Sequence, residues 1–244
     1  MSAAVAALAL ALVHALPTPR TAEEVEQQLA AEGDARLEAL EALPKACRGS
    51  LRLVLRDHAA IVRRVSALAT EGPAPQRRAA LGALRCFRPA VIEAPLRASF
   101  GDADRALAAF ALEVASNTRD AALVGAVLDH AEGVVERCAS SPPSGDALEA
   151  CVWAVYAAST MLDGADAATR TRARTIVAPA TESEAPKLRE VAVETLAATR
   201  QRAAAAVVAK LVEREKKKGG FTAPNTALVS RFVERQRALE KAKE

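Results

Sequence analysis

Residues 183–213 read SEAPKLREVAVETLAATRQRAAAAVVAKLVE, and this stretch decides the fold. Its first half ends on Leu196, with small residues one and four positions earlier and Arg189 seven positions earlier. Offsets of one, four and seven share one face of an α-helix. The second half is again apolar and rich in helix formers, so the stretch predicts two packed helices joined by a short turn.

The same anchor pattern recurs along the chain: Leu or Val, small residues at −1 and −4, and often Arg at −7. The copies end at Leu43, Leu84, Leu112, Val155, Leu196 and, more faintly, Leu239. The first five are separated by 41, 28, 43 and 41 residues. Small residues let a neighbouring helix approach closely, and one such helix cannot bury its face alone, so the copies must stack. The pattern predicts about five helical-hairpin repeats with roughly eleven helices.

Composition supports an all-α chain. Of 244 residues, 60 are Ala and 51% are hydrophobic, while only 3% are aromatic. Ala is poor in strands and good in helices, and the aliphatic content is too high for a disordered chain. The net charge of +3 is too small to indicate nucleic-acid binding by itself. Residues 202–244 carry +6 and the first 201 carry −3, which we interpret as a solvated terminal helix.

The repeated segments resemble HEAT-like repeats. The sequence GDADRALAAFAL at 101–112 looks like the acidic turn and first helix of such a unit, and VIEAPLRASFGD at 91–102 looks like its second helix. The stretch at 183–213 resembles a complete unit, and the similarity covers roughly residues 33–218. The resemblance implies a right-handed α-solenoid whose curved surface binds a partner.

The chain begins with an apolar segment. Residues 3–16 read AAVAALALALVHAL, which is too short to span a bilayer but has the length of a signal-peptide core. Val13 and Ala15 suit a cleavage site after residue 15, although no Lys or Arg precedes the core. The alternative is a buried first helix. We therefore divide the chain into a signal peptide (1–15), a HEAT-like solenoid (16–218) and a charged helix (219–244) that caps the solenoid or docks elsewhere.

The four cysteines form an even set without a CxxC motif. Cys47 and Cys86 follow the first two anchors, whereas Cys138 and Cys151 flank the SSPPSGD loop. We expect the disulfides Cys47–Cys86 and Cys138–Cys151, although four cysteines allow three connectivities. Disulfides and a signal peptide both indicate a periplasmic or secreted bacterial protein. The alternative is a cytoplasmic protein with reduced thiols.

No catalytic motif emerges. The three histidines, His14, His58 and His130, lack metal-ligand spacing, and no phosphate-binding Gly-rich loop occurs. HEAT-like hydroxylases hold iron with His-Glu dipeptides, which this chain lacks. We expect no enzymatic activity, no metal and no cofactor. Nucleic-acid binding is not expected either, because the second-helix segments do not share a continuous basic stripe.

The sequence therefore predicts a non-catalytic scaffold or adaptor that binds another protein. Two groups of arginines are candidates for contacts with an acidic partner. They are Arg56, Arg63 and Arg64 in one segment and Arg170 and Arg174, one helical turn apart, in another. The alternative functions are an intracellular assembly or accessory factor, or a HEAT-like protein of the DNA-glycosylase or lyase type.

Overall fold

The computed structural model describes residues 19–47, 50–140, 144–218 and 223–242. These residues form thirteen α-helices, and the described part contains no strand. The chain divides into two compact units, Met1–Arg88 and Pro89–Glu244. The predicted signal peptide lies outside the described residues. No helix in the described ranges is both long and apolar enough to cross a membrane.

The N-terminal unit contains five α-helices. They are α1 (Ala22–Ala30), α2 (Gly33–Ala46), α3 (Ser50–Leu55), α4 (Ala59–Glu71) and α5 (Ala74–Ala83), and α5 continues into a short 3₁₀ helix (Leu84–Cys86). Helix α2 packs on α5 and α1 packs on α4, so the two hairpins form two layers.

The C-terminal unit contains the remaining eight. They are α6 (Pro89–Phe100), α7 (Arg105–Thr118), α8 (Val124–Ser140), α9 (Gly145–Met161), α10 (Ala167–Val177), α11 (Pro186–Ala198), α12 (Arg202–Lys218) and α13 (Ala223–Glu240). Short 3₁₀ helices cover Ala121–Leu123 and Ala178–Glu182.

Helices of the C-terminal unit stack in two layers. In the first layer α7 packs on α9, α9 on α11 and α11 on α13. In the second layer α6 packs on α8 and α8 on α10, and each hairpin also packs within itself. The helices of the first layer are those that carry the anchor pattern. The predicted all-α solenoid of helical hairpins is therefore confirmed.

Small residues in the anchors let the stacked helices come close. Ala154, Ala192 and Thr195 are completely buried. The Thr195 hydroxyl lies 2.9 Å from the backbone oxygen of Val155 in the neighbouring helix. Two helices can come close enough for this contact only where the −1 and −4 positions of the anchor pattern hold small residues.

One apolar segment forms two helices. Residues 51–69 follow the first anchor and have the composition of a single second helix, but the chain turns between α3 and α4. The His58 amide donates to the Leu55 oxygen, 3.1 Å away, which closes the turn. Asp57 forms an ion pair with Arg88 at 2.5 Å. This exposed ion pair lies at the turn between the two helices, and the turn adds one helix to the expected number.

Both predicted cysteine pairs are at disulfide distance. The Cα atoms of Cys47 and Cys86 are 5.6 Å apart, and those of Cys138 and Cys151 are 6.1 Å apart. These separations fall inside the range of protein disulfides. Each bridge joins two elements of a single unit, the first within Met1–Arg88 and the second within Pro89–Glu244.

Helix α13 packs on α11 and α12 at the end of the described chain. Phe232 and Leu239, which the sequence places near one face, are buried. Arg231 and Arg235 form ion pairs with Glu190 and Glu194 of α11 at 2.9 and 2.8 Å. A polar outer face on a last helix suits a cap, and this role remains a prediction.

Candidate functional site

A cleft of about 450 Å³ opens in the C-terminal unit beside the start of α10 and the start of α12. Its described lining contains three arginines and no acidic residue. The lining residues are Ala165, Ala167, Arg170, Arg174, Thr199, Arg200, Gln201 and Ala203. We call this feature the cationic cleft.

The start of α10 is fixed by its N-cap. The Asp166 carboxylate accepts a hydrogen bond from the Thr169 amide at 2.7 Å, which satisfies one of the free donors of the first turn. This backbone hydrogen bond lowers the pKa of Asp166, so the cap is ionised. With the register fixed, Arg170 and Arg174 stand one turn apart on the same face of α10, as the sequence predicts.

The second wall comes from the loop between α11 and α12. Gln201 donates from its side-chain amide to the Thr171 hydroxyl at 2.7 Å, which ties the loop to α10. Arg200 adopts a left-handed backbone conformation with φ of 54°. Its guanidinium forms an ion pair with Asp163 at 2.8 Å, but both side chains remain largely exposed. This pair is therefore weak and exchangeable.

The charges of Arg170 and Arg174 are not balanced within the cleft. Both are half-buried, and no described carboxylate lies within ion-pair distance of either guanidinium. The Arg170 Nε atom is shielded from solvent and has no hydrogen-bond acceptor in the described part of the chain. Partly buried, uncompensated guanidinium groups favour an external carboxylate or phosphate, which they can bind in bidentate fashion.

Arg172, between these two arginines, has a different environment. Its guanidinium contacts Asp129 at 2.8 Å and Glu132 at 2.5 Å on α8. Asp129 also binds Arg97 of α6 at 2.7 Å, so one chain of charges links three second-layer helices. Hydrogen bonds from Arg97 and Arg172 lower the pKa of Asp129. Arg172 is therefore part of a neutralised structural network and does not contribute to the cleft.

The other predicted contact residues lie in the N-terminal unit. Arg63 and Arg64 line a groove of about 740 Å³ between α1 and α4, but Glu23 and Glu26 line it too. Arg56 is exposed after the end of α3 and is not among the groove's lining residues. Acidic and basic side chains balance in this groove, which therefore selects an acidic ligand less strongly than the cationic cleft.

Arg200 lines the cationic cleft but is not among the contact residues that the sequence predicts. It follows the anchor of its repeat by four positions, in the segment Arg200-Gln201-Arg202. A basic cluster directly after a helix end is the signal in the sequence that points to this residue.

Nothing in the described residues resembles a metal centre, since no group of three or more His, Cys, Asp or Glu side chains could hold an ion there. His58 lies 3.6 Å from Glu26 in the N-terminal unit. His130 lies in the C-terminal unit beside a separate cavity. The two histidines thus lie in different local surroundings.

Comparison with known proteins gives the fold. No protein-family model and no curated protein sequence matches the chain. Among solved structures, the chain is similar to an engineered protein with a TM-score of 0.61 and 16% identity, covering 89% of this chain and 96% of that one. A designed armadillo repeat protein gives a TM-score of 0.58 at 13% identity, with 87% and 98% covered.

An archaeal HEAT-like repeat protein from Thermococcus onnurineus NA1 gives a TM-score of 0.57 at 11% identity, covering 90% of this chain and 88% of that one. Identities this low carry the fold and not the activity. The resemblance that the sequence motifs indicated is thereby supported by structure, and the chain has the fold of the armadillo and HEAT-like repeat proteins.

Proposed function

We propose that the protein is a non-catalytic adaptor that binds an acidic segment of another protein in the cationic cleft. The observation that carries the proposal is the pair Arg170 and Arg174, half-buried in a cleft whose described lining contains no acidic residue. Charge pairs formed away from bulk water select an acidic partner and set its orientation. Stacked helical repeats provide extended surfaces for such binding.

The charge pattern favours a protein segment over a nucleic acid. Duplex DNA requires a row of cations that follows the phosphates, and its binding weakens steeply with salt. Here the arginines of the neighbouring second-layer helices are neutralised by Asp129 and Glu132. The arginines of the cleft therefore form a compact cluster and not a row, which suits two or three carboxylates in a short peptide.

The test measures binding of a fluorescein-labelled hexaglutamate peptide by anisotropy at several salt concentrations. We expect the variant Arg170→Gln/Arg174→Gln to bind about tenfold more weakly, because two charge-assisted contacts are lost. The matched control is Arg63→Gln/Arg64→Gln, which removes the same charge from the N-terminal unit and should change the affinity less than about twofold.

Equal losses in the two variants would show that binding depends on net charge and not on the cleft. Tighter, salt-dependent binding of a 20-base-pair duplex than of the peptide would instead favour the nucleic-acid alternative.

We further propose that the protein works in the bacterial envelope or outside the cell. The two cysteine pairs at disulfide distance support an oxidising compartment. Intact mass of the protein from its native host, with alkylation before and after reduction, tests this location. We expect loss of about fifteen N-terminal residues, as a signal-peptide cleavage predicts, and alkylation only after reduction. A full-length chain with four alkylatable thiols would place it in the cytoplasm as an accessory factor.

A further inference from the structure

A second, smaller cavity of about 160 Å³ lies among helices α6 to α9. It is separate from the cationic cleft and shares no lining residue with it. Its described lining is Phe100, Arg105, Ala108, His130, Val134, Arg137, Cys138, Ala147, Ala150 and Cys151. The Cys138–Cys151 disulfide therefore forms part of the wall.

Small side chains leave this space unfilled. Ala108 faces it from α7, while Ala147 and Ala150 face it from the first turns of α9. The ring of Phe100 lies 5.8 Å from the ring of His130, so the two rings together form one apolar side. A cavity of about 150 Å³ lined by apolar groups is large enough for a benzene ring.

The polar groups of the cavity are all basic. Arg105 and Arg137 are exposed, and no Asp or Glu is present among the described lining residues. His130 is half-buried. Burial lowers the pKa of His130, and the charges of Arg137 and Arg105 lower it further. The imidazole is therefore neutral near pH 7 and can donate one hydrogen bond.

Comparison with the repeat around α11 shows why the polar residues that line this cavity are basic. Arg189 and Arg105 hold the same −7 position in two copies of the anchor pattern. Arg189 pairs with Glu215, which is the fourteenth residue of α12. The fourteenth residue of α8 is Arg137. At these two positions the repeat of α11 and α12 therefore contains a buried ion pair. The repeat of α7 and α8 contains two guanidinium groups beside a cavity.

Arg105 also stands at an unfavourable end of its helix. It is the first residue of α7, and the positive end of the helix dipole disfavours a cation there. An anion bound between Arg105 and His130 would offset this repulsion. The apolar walls require that such an anion also carry an apolar body.

We propose that this cavity binds a small organic monocarboxylate whose apolar body has the size of a benzene ring. The carboxylate lies at the mouth, between the Arg105 guanidinium and the His130 ring. The body packs against Phe100, Val134 and the disulfide.

The test uses benzoate and its neutral counterpart benzyl alcohol, with binding followed by NMR on the full-length protein. We expect benzyl alcohol to bind about tenfold more weakly or worse, because it cannot form charge-assisted hydrogen bonds. Bound benzoate should also raise the pKa of His130, because a nearby negative charge favours the imidazolium form. Equal affinity for both compounds, or a Kd for benzoate above about 10 mM, would overturn the proposal.

Two variants locate the site. Arg105→Gln should weaken benzoate binding about tenfold, while Arg52→Gln, a matched loss of charge at an exposed position of α3, should leave it unchanged. Ala150→Phe should abolish binding by filling the cavity, with far-UV circular dichroism and Tm as checks on folding. If Ala150→Phe does not fold, the Arg105→Gln result still decides. Inorganic phosphate that binds as tightly as benzoate would refute the role of the apolar walls.

Discussion

Arg189 and Arg105 occupy equivalent positions in two repeats, yet their surroundings differ completely. Arg189 is 6% exposed, contacts Glu215 at 3.1 Å and donates to the backbone oxygens of Ser183 and Glu184 at 2.9 and 2.7 Å. Arg105 is exposed at the mouth of a cavity. The repeat pattern thus fixes the position of the arginine. The second helix of the same repeat determines whether this arginine forms a buried ion pair or remains exposed for a ligand.

A third copy agrees with the structural role. Arg36 donates from Nε to the backbone oxygen of Ala31 at 2.6 Å, in the turn before its helix. Arg36 and Arg189 therefore both tie the preceding turn to the anchor helix. Arg105 has no such contact in the described part of the chain, which makes it the exception among these three.

The largest effect on the free energy of unfolding is expected at the buried ion pair of Arg189 and Glu215. Arg189→Met should lower the free energy of unfolding by about 3–5 kcal/mol. The buried Glu215 carboxylate loses its closer guanidinium and keeps only that of Arg214, 3.7 Å away, while two backbone oxygens lose their donor. Urea denaturation at pH 7 measures the change. The double variant Arg189→Met/Glu215→Leu should recover most of the loss, since an apolar pair avoids the buried charge. A loss below about 1 kcal/mol for the single variant would mean that Arg189 is no more structural than Arg105.

An intermediate effect is expected at the two disulfides. Cys47→Ala/Cys86→Ala opens a loop with a sequence separation of 39, and Cys138→Ala/Cys151→Ala opens one of 13. Chain-entropy arguments give losses of about 4 and about 3 kcal/mol, respectively. Thermal unfolding of each variant and of the reduced wild type measures them. If removing Cys138–Cys151 costs no stability while benzoate binding is lost, the bridge belongs to the ligand site and not to the scaffold.

The smallest effect on stability is expected at Arg105. Arg105→Gln should change the free energy of unfolding by less than about 0.5 kcal/mol, because the side chain is exposed. It should nevertheless raise the pKa of His130, since one of the charges that lower it is removed. An NMR titration of the His130 ring measures this shift, with Arg174→Gln as the unshifted control.

The lowered pKa of His130 also predicts how the stability of the protein depends on pH. Because the pKa of His130 is lowered in the folded protein, the unfolded chain binds the proton more readily. The wild type should therefore lose stability as the pH falls below the ordinary histidine pKa of about 6.5, and Arg105→Gln should lose less. An equal loss in both proteins would contradict the coupling between Arg105 and His130.

The fold could be predicted from the sequence because the anchors leave little choice. A small residue at −4 or −1, such as Ala154 or Thr195, can only be explained by a close neighbouring helix. The Cys47–Cys86 pair followed from the same stacking, and the Cys138–Cys151 pair followed from the position of these two residues on either side of one loop. The break before α4 was missed because it depends on a turn held by Asp57 and Arg88, two residues 31 positions apart.

The sites were predicted less completely, for a physical reason. The shared face of Arg170 and Arg174 follows from helical spacing, so the sequence was sufficient. The neutralisation of Arg172 by α8, and the approach of Arg200 from another loop, depend on tertiary contacts between repeats. The benzene-sized cavity is a gap between four helices, and local sequence patterns do not encode gaps.

The placement of the disulfides has a consequence for the history of the molecule. Each bridge closes within one unit, and neither connects the residues up to Arg88 with those from Pro89 onward. A genetic exchange at this boundary would thus keep the two cysteines of each disulfide together. Recombination there would therefore keep both cysteine pairs intact, whichever half is exchanged.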